Sequence, residues 1–297
     1  MLPLESVPNV SEGRNPGVVA ELARAFSSGE THLLDVHSDA DHHRSVFTLA
    51  GPDDALVDAL LAGVAAASER IDLRRHDGIH PRVGAADVVP VVPLRPEDMQ
   101  RAVEAARRVA ERIGNELSLP VFLYAETGEG RRPAFFRRGG PEELQRRLDS
   151  GELAPDFGPS RLHPSAGAVL VGARKPLVAY NLELDTDDVE LAREIAAAVR
   201  ASSGGLPGVQ AIGLLLGTTG RAQVSMNLID PEATRLVTAV QEVRARAAER
   251  GVAIARGELV GLLPAAEVAA AAADPLALPG LAADRILEAA VFSLDPG

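Results

Sequence analysis

The stretch HDGIHPRVGAADVVP, residues 76–90, sets two histidines four apart around a glycine and follows the second with Pro-Arg. A histidine pair of that spacing grips a metal when both rings leave one face of a continuous helical turn. Gly78 weakens such a turn, and Pro81 pushes His80 out of the helical region of the backbone. The spacing therefore disfavours a metal pair. It leaves His80 on a stiff, extended segment beside Arg82, Gly84 and Asp87, with Arg74, Arg75 and His76 just upstream. An imidazole so placed is an acid/base group near neutral pH, with fixed cations beside it for anionic ligands. The same residues fit equally well a histidine satisfied at the entrance to a buried strand.

Two further groupings could carry chemistry. DVHSDADHHRS, residues 35–45, gathers Asp35, His37, Asp39, Asp41, His42 and His43, and carboxylate with imidazole can hold a divalent ion. A solvated hairpin link has the same composition and is the preferred reading, so no metal site is assigned. Arg44, at the end of this run, is matched by Arg221 in the second half; each is an anion contact or a surface charge. In DFGPSRLHPSAGA, residues 156–168, glycines and prolines shape a wall along which backbone amides can approach a flat ligand. There is no Gly-x-Gly-x-x-Gly opening a helix, no phosphate loop and no Gly-x-Ser-x-Gly elbow, so nucleotide and serine-hydrolase chemistry lack their signatures.

Composition narrows the field. The 297 residues allow one large or two ordinary domains, with 46% hydrophobic residues to build a core. The absence of cysteine removes disulfides, thiolate metal sites and a cysteine nucleophile, and fits a cytoplasmic location. A net charge of −12 without a basic, aromatic-studded stripe disfavours nucleic acid as partner. No apolar run is long enough for a membrane span, and the N-terminus does not read as a signal peptide. Lys175 is the single lysine, and all seven histidines lie at or before position 163, so imidazole chemistry belongs to the first half.

The elements that must position these groups follow from periodicity. LESVPNV reads as a strand, PGVVAELARAFSS as an amphipathic helix, and HLLDVHS with RSVFTLAG as a hairpin. PDDALVDALLAGVAAASERI is a helix, and AADVVPVVPL a buried strand whose prolines suggest an edge or a bulge. The same order returns in KPLVAYNLEL, DTDDVELAREIAAAVRAS, VQAIGLLLG, RAQVSMNLI, DPEATRLVTAVQEVRARAAERG and VAIARGELVGLLP. PEDMQRAVEAARRVAERIG and LPVFLYAE add a helix and a strand between the halves, and the Gly-, Pro- and Arg-rich segment 127–165 reads as a long loop, functional or disordered. An alanine-rich helical tail broken by DPLALPG closes the sequence. The fold class expected is α/β (α+β): two ferredoxin-like βαββαβ subdomains whose sheets pack against each other with helices outside, spanning 1–176 and 177–297.

Together VPNVSEGRN, RSVFTLAG, RRHDGIHPRVGAADVVPVVP, APDFGPS, HPSAGAVLVGARK, AQVSMNLID and LVGLLP resemble the formiminotransferase family, in order, to about residue 264. The resemblance implies two α/β subdomains with a groove or tunnel between their sheets. It implies a homodimer formed through the first subdomain. The activity it implies is transfer of a formimino group from N-formimino-L-glutamate to tetrahydrofolate, a co-substrate, during histidine degradation. The histidine of the His-Pro-Arg string is the family's catalytic residue, which falls on His80. The folate-contacting stretch falls on Gly158, Pro159, Ser160, Arg161, Leu162, His163, Pro164, Ser165, Ala166 and Gly167. An enzyme of net charge −12 must gather cations for the substrate carboxylates, and Arg14, Arg44, Arg74, Arg75 and Arg82 are the candidates.

The chain departs from the family's pattern at Ile79, where glutamate commonly precedes the His-Pro-Arg string, and at His43, where asparagine is usual. Both positions bear on which donor is read. Competing functions are a relative moving a formyl group, a folate-binding protein without turnover, and a metal-dependent hydrolase using residues 35–43.

Overall fold

The structure is a computed structural model that describes residues 2–273 and 281–286. Its contacts divide the chain into two compact units, Met1–Lys175 and Pro176–Gly297.

The first unit runs β1 (Leu4–Ser6), β2 (Asn9–Val10), α1 (Pro16–Phe26), β3 (His32–Asp39), β4 (Arg44–Gly51), α2 (Asp53–Arg70) and β5 (Ala86–Pro93). It continues through α3 (Met99–Glu116), β6 (Val121–Leu123), α4 (Pro133–Arg137), α5 (Gly140–Asp149) and β7 (Val169–Ala173). β1 and β2 occupy one strand position in two pieces, each antiparallel to both β4 and β5. The break falls at Val7–Pro8, because proline cannot donate to a ladder. The expected single strand is thus divided, though the Pro8 carbonyl still accepts from Phe47 N at 3.0 Å.

β3 flanks β4, and β7 with β6 extends the sheet in parallel beyond β5. β5 is therefore central, not an edge. Its prolines are tolerated because Pro90 lies opposite the gap between β1 and β2, and the β2–β5 register shifts at Asn9/Val10. β7 was not expected as a strand, and the segment 127–165 is no continuous loop, since α4 and α5 lie within it.

α1 starts where its sequence says it should: the Asn15 side chain accepts from the Gly17 and Val18 amides, with Pro16 in the first turn. α1, α2 and α3 cover the sheet with Leu22, Phe26, Leu56, Leu60, Val64, Val109 and Ile113, which meet Leu4, Phe47, Leu49, Val89 and Val91. Each such side chain fully withdrawn from water contributes roughly 1.5–3 kcal/mol.

The second unit runs β8 (Val178–Leu184), α6 (Val189–Val199), β9 (Val209–Leu215), β10 (Ala222–Leu228), α7 (Leu236–Glu249), β11 (Ile254–Val260) and α8 (Ala265–Ala273). Its four strands lie in the order β11-β8-β10-β9, every neighbour antiparallel, which is the ferredoxin-like arrangement. The first unit carries the same core order, with β5, the β1/β2 position, β4 and β3 side by side. The repeat read from the sequence is therefore present in both sheets. α7 begins later than DPEATRLV suggested, because residues 230–234 form a turn on the Asp230 carbonyl. Its first amides are then met from α8, where Glu267 accepts from Leu236 N at 2.7 Å. The DPLALPG break and residues 287–297 of the tail lie outside the described residues.

Candidate active site

The candidate side chains of the first unit gather at one end of its sheet. Because β2 runs antiparallel to β4 and β5, the end of β2 meets the beginnings of the other two. That end receives Asn9, Glu12, Arg44 and Asp87 from the sheet and its margins. The connection from α2 to β5, residues 71–85, folds over it and carries His76 and His80.

Arg44 is the hub. Its Nε donates to Asn9 Oδ1 at 2.8 Å, and its Nη1 donates to Asp87 Oδ2 at 3.0 Å and meets His80 Nδ1 at 2.8 Å. Asp87 is fully buried; its second oxygen accepts from Val83 N at 2.8 Å, and Oδ2 also accepts from Arg137 Nη2 at the end of α4. Burial alone would push the Asp87 carboxyl up, but the Arg137 and Arg44 guanidiniums and the Val83 amide outweigh it and hold it below its usual range. Burial is also the main cause that brings Arg44 down to about 10, with Asp87 opposing and Arg137 and Arg82 adding to the fall. Arg44 remains charged at neutral pH, and the prospect of a mere surface charge there is removed.

His80 Nδ1 also lies 2.8 Å from the carbonyl of Pro81. A guanidinium only donates and a carbonyl only accepts, so the two contacts call for opposite tautomers. In one, Nδ1 accepts from Arg44 and the proton sits on Nε2. In the other, Nδ1–H donates to Pro81 and Nε2 is left as a free base. The charged imidazolium is the form the surroundings oppose: burial first, then Arg44, Arg137 and His42 drive the His80 pKa well below 6.5. Burial first, and then the cations beside the ring, place the pKa below the near-neutral value expected from the sequence.

The rest of the connection is architecture. His76 accepts at Nδ1 from Gly78 N at 3.2 Å and donates from Nε2 to the His43 carbonyl at 2.8 Å, which fixes its tautomer. Burial leads its pKa down to about 4, so it is neutral in the working range. Its ring stacks on His43 at 4.1 Å. His43, held at φ 48°, approaches Glu12 Oε1 with Nε2 at 3.2 Å and Asp77 with Nδ1 at 3.5 Å. Glu12 accepts as well from the Arg14 and Asn15 amides, and these contacts outweigh its burial and keep its carboxyl below the usual range. Gly78 is required by close approach, since a Cβ there would stand 2.4 Å from the His42 carbonyl. Ile79 is 44% exposed, with its amide donating to the Asp41 carbonyl.

The candidate cations separate into different roles. Arg82 donates to the carbonyls of Gly78, His80 and His76 at 2.8, 2.9 and 3.1 Å, and so braces the loop. Arg14 reaches Asp77 at 2.5 Å and the Ala40 carbonyl at 2.9 Å, tying the loop to the hairpin. Arg74 forks onto Asp72 at the surface, and Arg75 is exposed on the same single turn. Of the five, Arg44 alone is hydrogen-bonded to the His80 ring. Arg137 was missed; its one signal was a place in the arginine-rich GEGRRPAFFRRGG.

The stretch 158–167 has two parts. Gly158 through Arg161 are exposed. From His163 the chain closes on itself: His163 and Gly167 exchange both backbone hydrogen bonds, and the His163 ring accepts from Ala166 N at 3.0 Å. This turn is stitched to the connection between α2 and β5, since Leu73 N donates to Ser165 O and Ala85 N to Ala166 O, both at 2.8 Å. Gly158 and Gly167 take φ of 79° and 69°, and a Cβ at either would strike a backbone carbonyl at 2.1 Å.

Part of the 35–43 cluster is held by local contacts. His37 and Asp39 bring ligand atoms within 4.8 Å of each other along β3, but Asp39 also accepts from His42 N at 2.7 Å, and His43 faces Glu12. His42 packs its ring 6.0 Å from that of His80. No helix among the described residues is long and apolar enough to cross a membrane.

The family model for the formiminotransferase domain, N-terminal subdomain, matches residues 3–174, and that for the formiminotransferase domain matches 179–275. The chain is 43% identical to glutamate formimidoyltransferase of Streptococcus pyogenes serotype M1, over 88% of this chain and 89% of that protein. It is 41% identical to the glutamate formimidoyltransferase of Thermoplasma acidophilum, over 96% of each. Formimidoyltransferase-cyclodeaminase of Rattus norvegicus is 40% identical over 88% of this chain, which spans half the length of that protein. The chain belongs to the formiminotransferase family.

Proposed function

We propose that the protein is a glutamate formimidoyltransferase, moving the formimino group of N-formimino-L-glutamate to tetrahydrofolate and releasing L-glutamate and 5-formiminotetrahydrofolate in histidine degradation. The names of its relatives support the reaction, and the surroundings of His80 carry the assignment of the chemistry. Tetrahydrofolate is a co-substrate, and the stretch Gly158–Gly167 is its proposed contact. Its exposed glycine-proline entry and closed histidine turn offer a fixed backbone surface beside the catalytic connection.

In the reaction, a folate ring nitrogen attacks the formimino carbon, forming one C–N bond, and the tetrahedral intermediate then breaks the C–N bond to glutamate. The attacking nitrogen must lose a proton and the departing nitrogen must gain one. His80 does both from Nε2 when Nδ1–H donates to the Pro81 carbonyl. A histidine of low pKa suits this sequence. Once the folate nitrogen has attacked it carries positive charge and is strongly acidic, so a weak base suffices to take its proton. The resulting imidazolium, unwelcome between Arg44 and Arg137, returns it readily to the leaving amine.

His80→Ala tests this role. Transfer should fall by about 10²- to 10⁴-fold, the usual contribution of one positioned acid/base, while tetrahydrofolate binding stays intact. Undiminished turnover in that variant would remove His80 from the mechanism. Ile79 favours one second reading, a formyl rather than formimino donor, because it sets an exposed apolar side chain beside His80. Parallel assays with formiminoglutamate and formylglutamate separate the two.

The reading extends to a cytoplasmic homodimer joined through the first unit. β3 supports it as an edge strand that exposes Leu34 and Val36. The solution mass by light scattering tests it.

A further inference from the structure

Arg137 stands outside every motif that the reaction above uses, yet it is drawn into the same buried cluster. The count of charges there does not balance. Asp87 is the acid that Arg44 and Arg137 share, both on its Oδ2, while Oδ1 is taken by the Val83 amide. The three side chains are 0%, 12% and 14% exposed. Arg82, close enough to repel Arg44, adds a third cation whose hydrogen bonds end on neutral carbonyls. His80 contributes no charge. Asp77 as well as Asp87 acts on Arg82, so the imbalance rests on Arg44 and Arg137, two guanidiniums on one carboxylate oxygen, and the Nε of Arg137 is buried with no hydrogen-bond partner. A buried donor of a charged group left unpaired is costly, and a guanidinium fork is matched best by a carboxylate.

On the strength of the transferase reading, we propose that Arg137 and Arg44 form a buried carboxylate subsite beside His80, which takes one carboxylate of the dicarboxylic one-carbon donor. Asp87 is its fixed member: shared between the two guanidiniums, it holds both in place and leaves a positive charge for the ligand. The local fold presents Arg137 deliberately. Pro133 starts α4, the buried Phe136 anchors it, and Arg137 is its last residue, before Gly139 and Gly140 turn the chain away at φ 74°. Arg44 Nη1 touches both Asp87 and His80 Nδ1, so a carboxylate seated here is registered to the acid/base.

The test uses the full-length protein with Arg137→Gln and Arg137→Lys, each checked for an unchanged melting transition. Steady-state kinetics with formiminoglutamate and tetrahydrofolate would be joined by calorimetric titration with L-glutamate, which needs no turnover. Arg137→Gln should raise the KM for formiminoglutamate and the Kd for L-glutamate by about tenfold or more, with the KM for tetrahydrofolate nearly unchanged. Arg137→Lys, which keeps the charge and loses the fork, should fall between, and it carries the test alone if the glutamine variant does not fold. A rise confined to the tetrahydrofolate KM would assign the subsite to the folate glutamyl tail and overturn the proposal. A fall in kcat or a shifted pH profile with unchanged glutamate affinity would also overturn it, reducing Arg137 to a group acting through Asp87. Wild-type protein that binds glutamate through Arg137 but does not turn over formiminoglutamate would instead refute the transferase reading and leave the subsite standing.

Discussion

The two units share one ferredoxin-like core, yet the proposed chemistry lies in the first. Arg44 and Arg221 stand at corresponding places, Arg44 opening the third core strand of its unit and Arg221 immediately preceding that of the other. Arg44 is 12% exposed and bound to Asn9, Asp87 and His80, whereas Arg221 is 44% exposed and reaches Asp185 at 3.2 Å. The connection that follows differs most. In the first unit α2 leads to β5 through residues 71–85, which fold back over the strand ends. In the second, α7 leads to β11 through residues 250–253, too short to cover anything. The longer connection and α4, which brings Arg137 onto Asp87, set the first unit's sheet end apart.

That contrast can be broken by matched substitutions. Asp87→Asn leaves two buried guanidiniums uncompensated, and removing one partner of a buried network costs about 3–5 kcal/mol. Asp185→Asn, at an exposed pair, should cost roughly 0.2–1 kcal/mol. Urea unfolding of the two variants measures both, and equal losses would mean that the first unit's cluster is no more organised than a surface pair.

Gly78→Ala comes next in size. Its Cβ would collide with the His42 carbonyl, and overpacking of that kind costs typically about 1–3 kcal/mol. Gly220→Ala in the second unit has open space, and its positive φ alone should cost about 1–2 kcal/mol or less. The sharper difference is functional: Gly78→Ala should slow formimino transfer by displacing His80, while Gly220→Ala should leave the rate unchanged.

His80 and Asp87 were legible as neighbours in the sequence because proline, glycine and arginine mark an extended, cation-flanked histidine within a short span, whereas Arg44, 36 positions from His80, read as an anion contact or a surface charge alike. The repeat was legible too, since strand and helix periods recur in order. Arg137 was not, because it is fifty positions from Asp87 and its helix is hidden in glycine, proline and arginine. β7 was obscured by the same bias, its apolar run lying inside a segment that reads as a motif. The protonation of His80 could not be read from its neighbours in sequence either. Its pKa is set by burial and by two arginines that only the fold brings to it.

The central claim is that His80 transfers the proton as a neutral imidazole held down by the cations around it. A depressed pKa keeps the base form populated as pH falls below 6.5, so activity is lost only near the lower, folded-state value. The direct measurement is the pH dependence of kcat/KM for formimino transfer in wild type, Arg44→Gln and Arg221→Gln. The acid limb of the wild type should lie well below pH 6.5, move up toward it in Arg44→Gln, and stay in place in Arg221→Gln. A wild-type limb at or above pH 6.5, or one that ignores Arg44, would contradict the account.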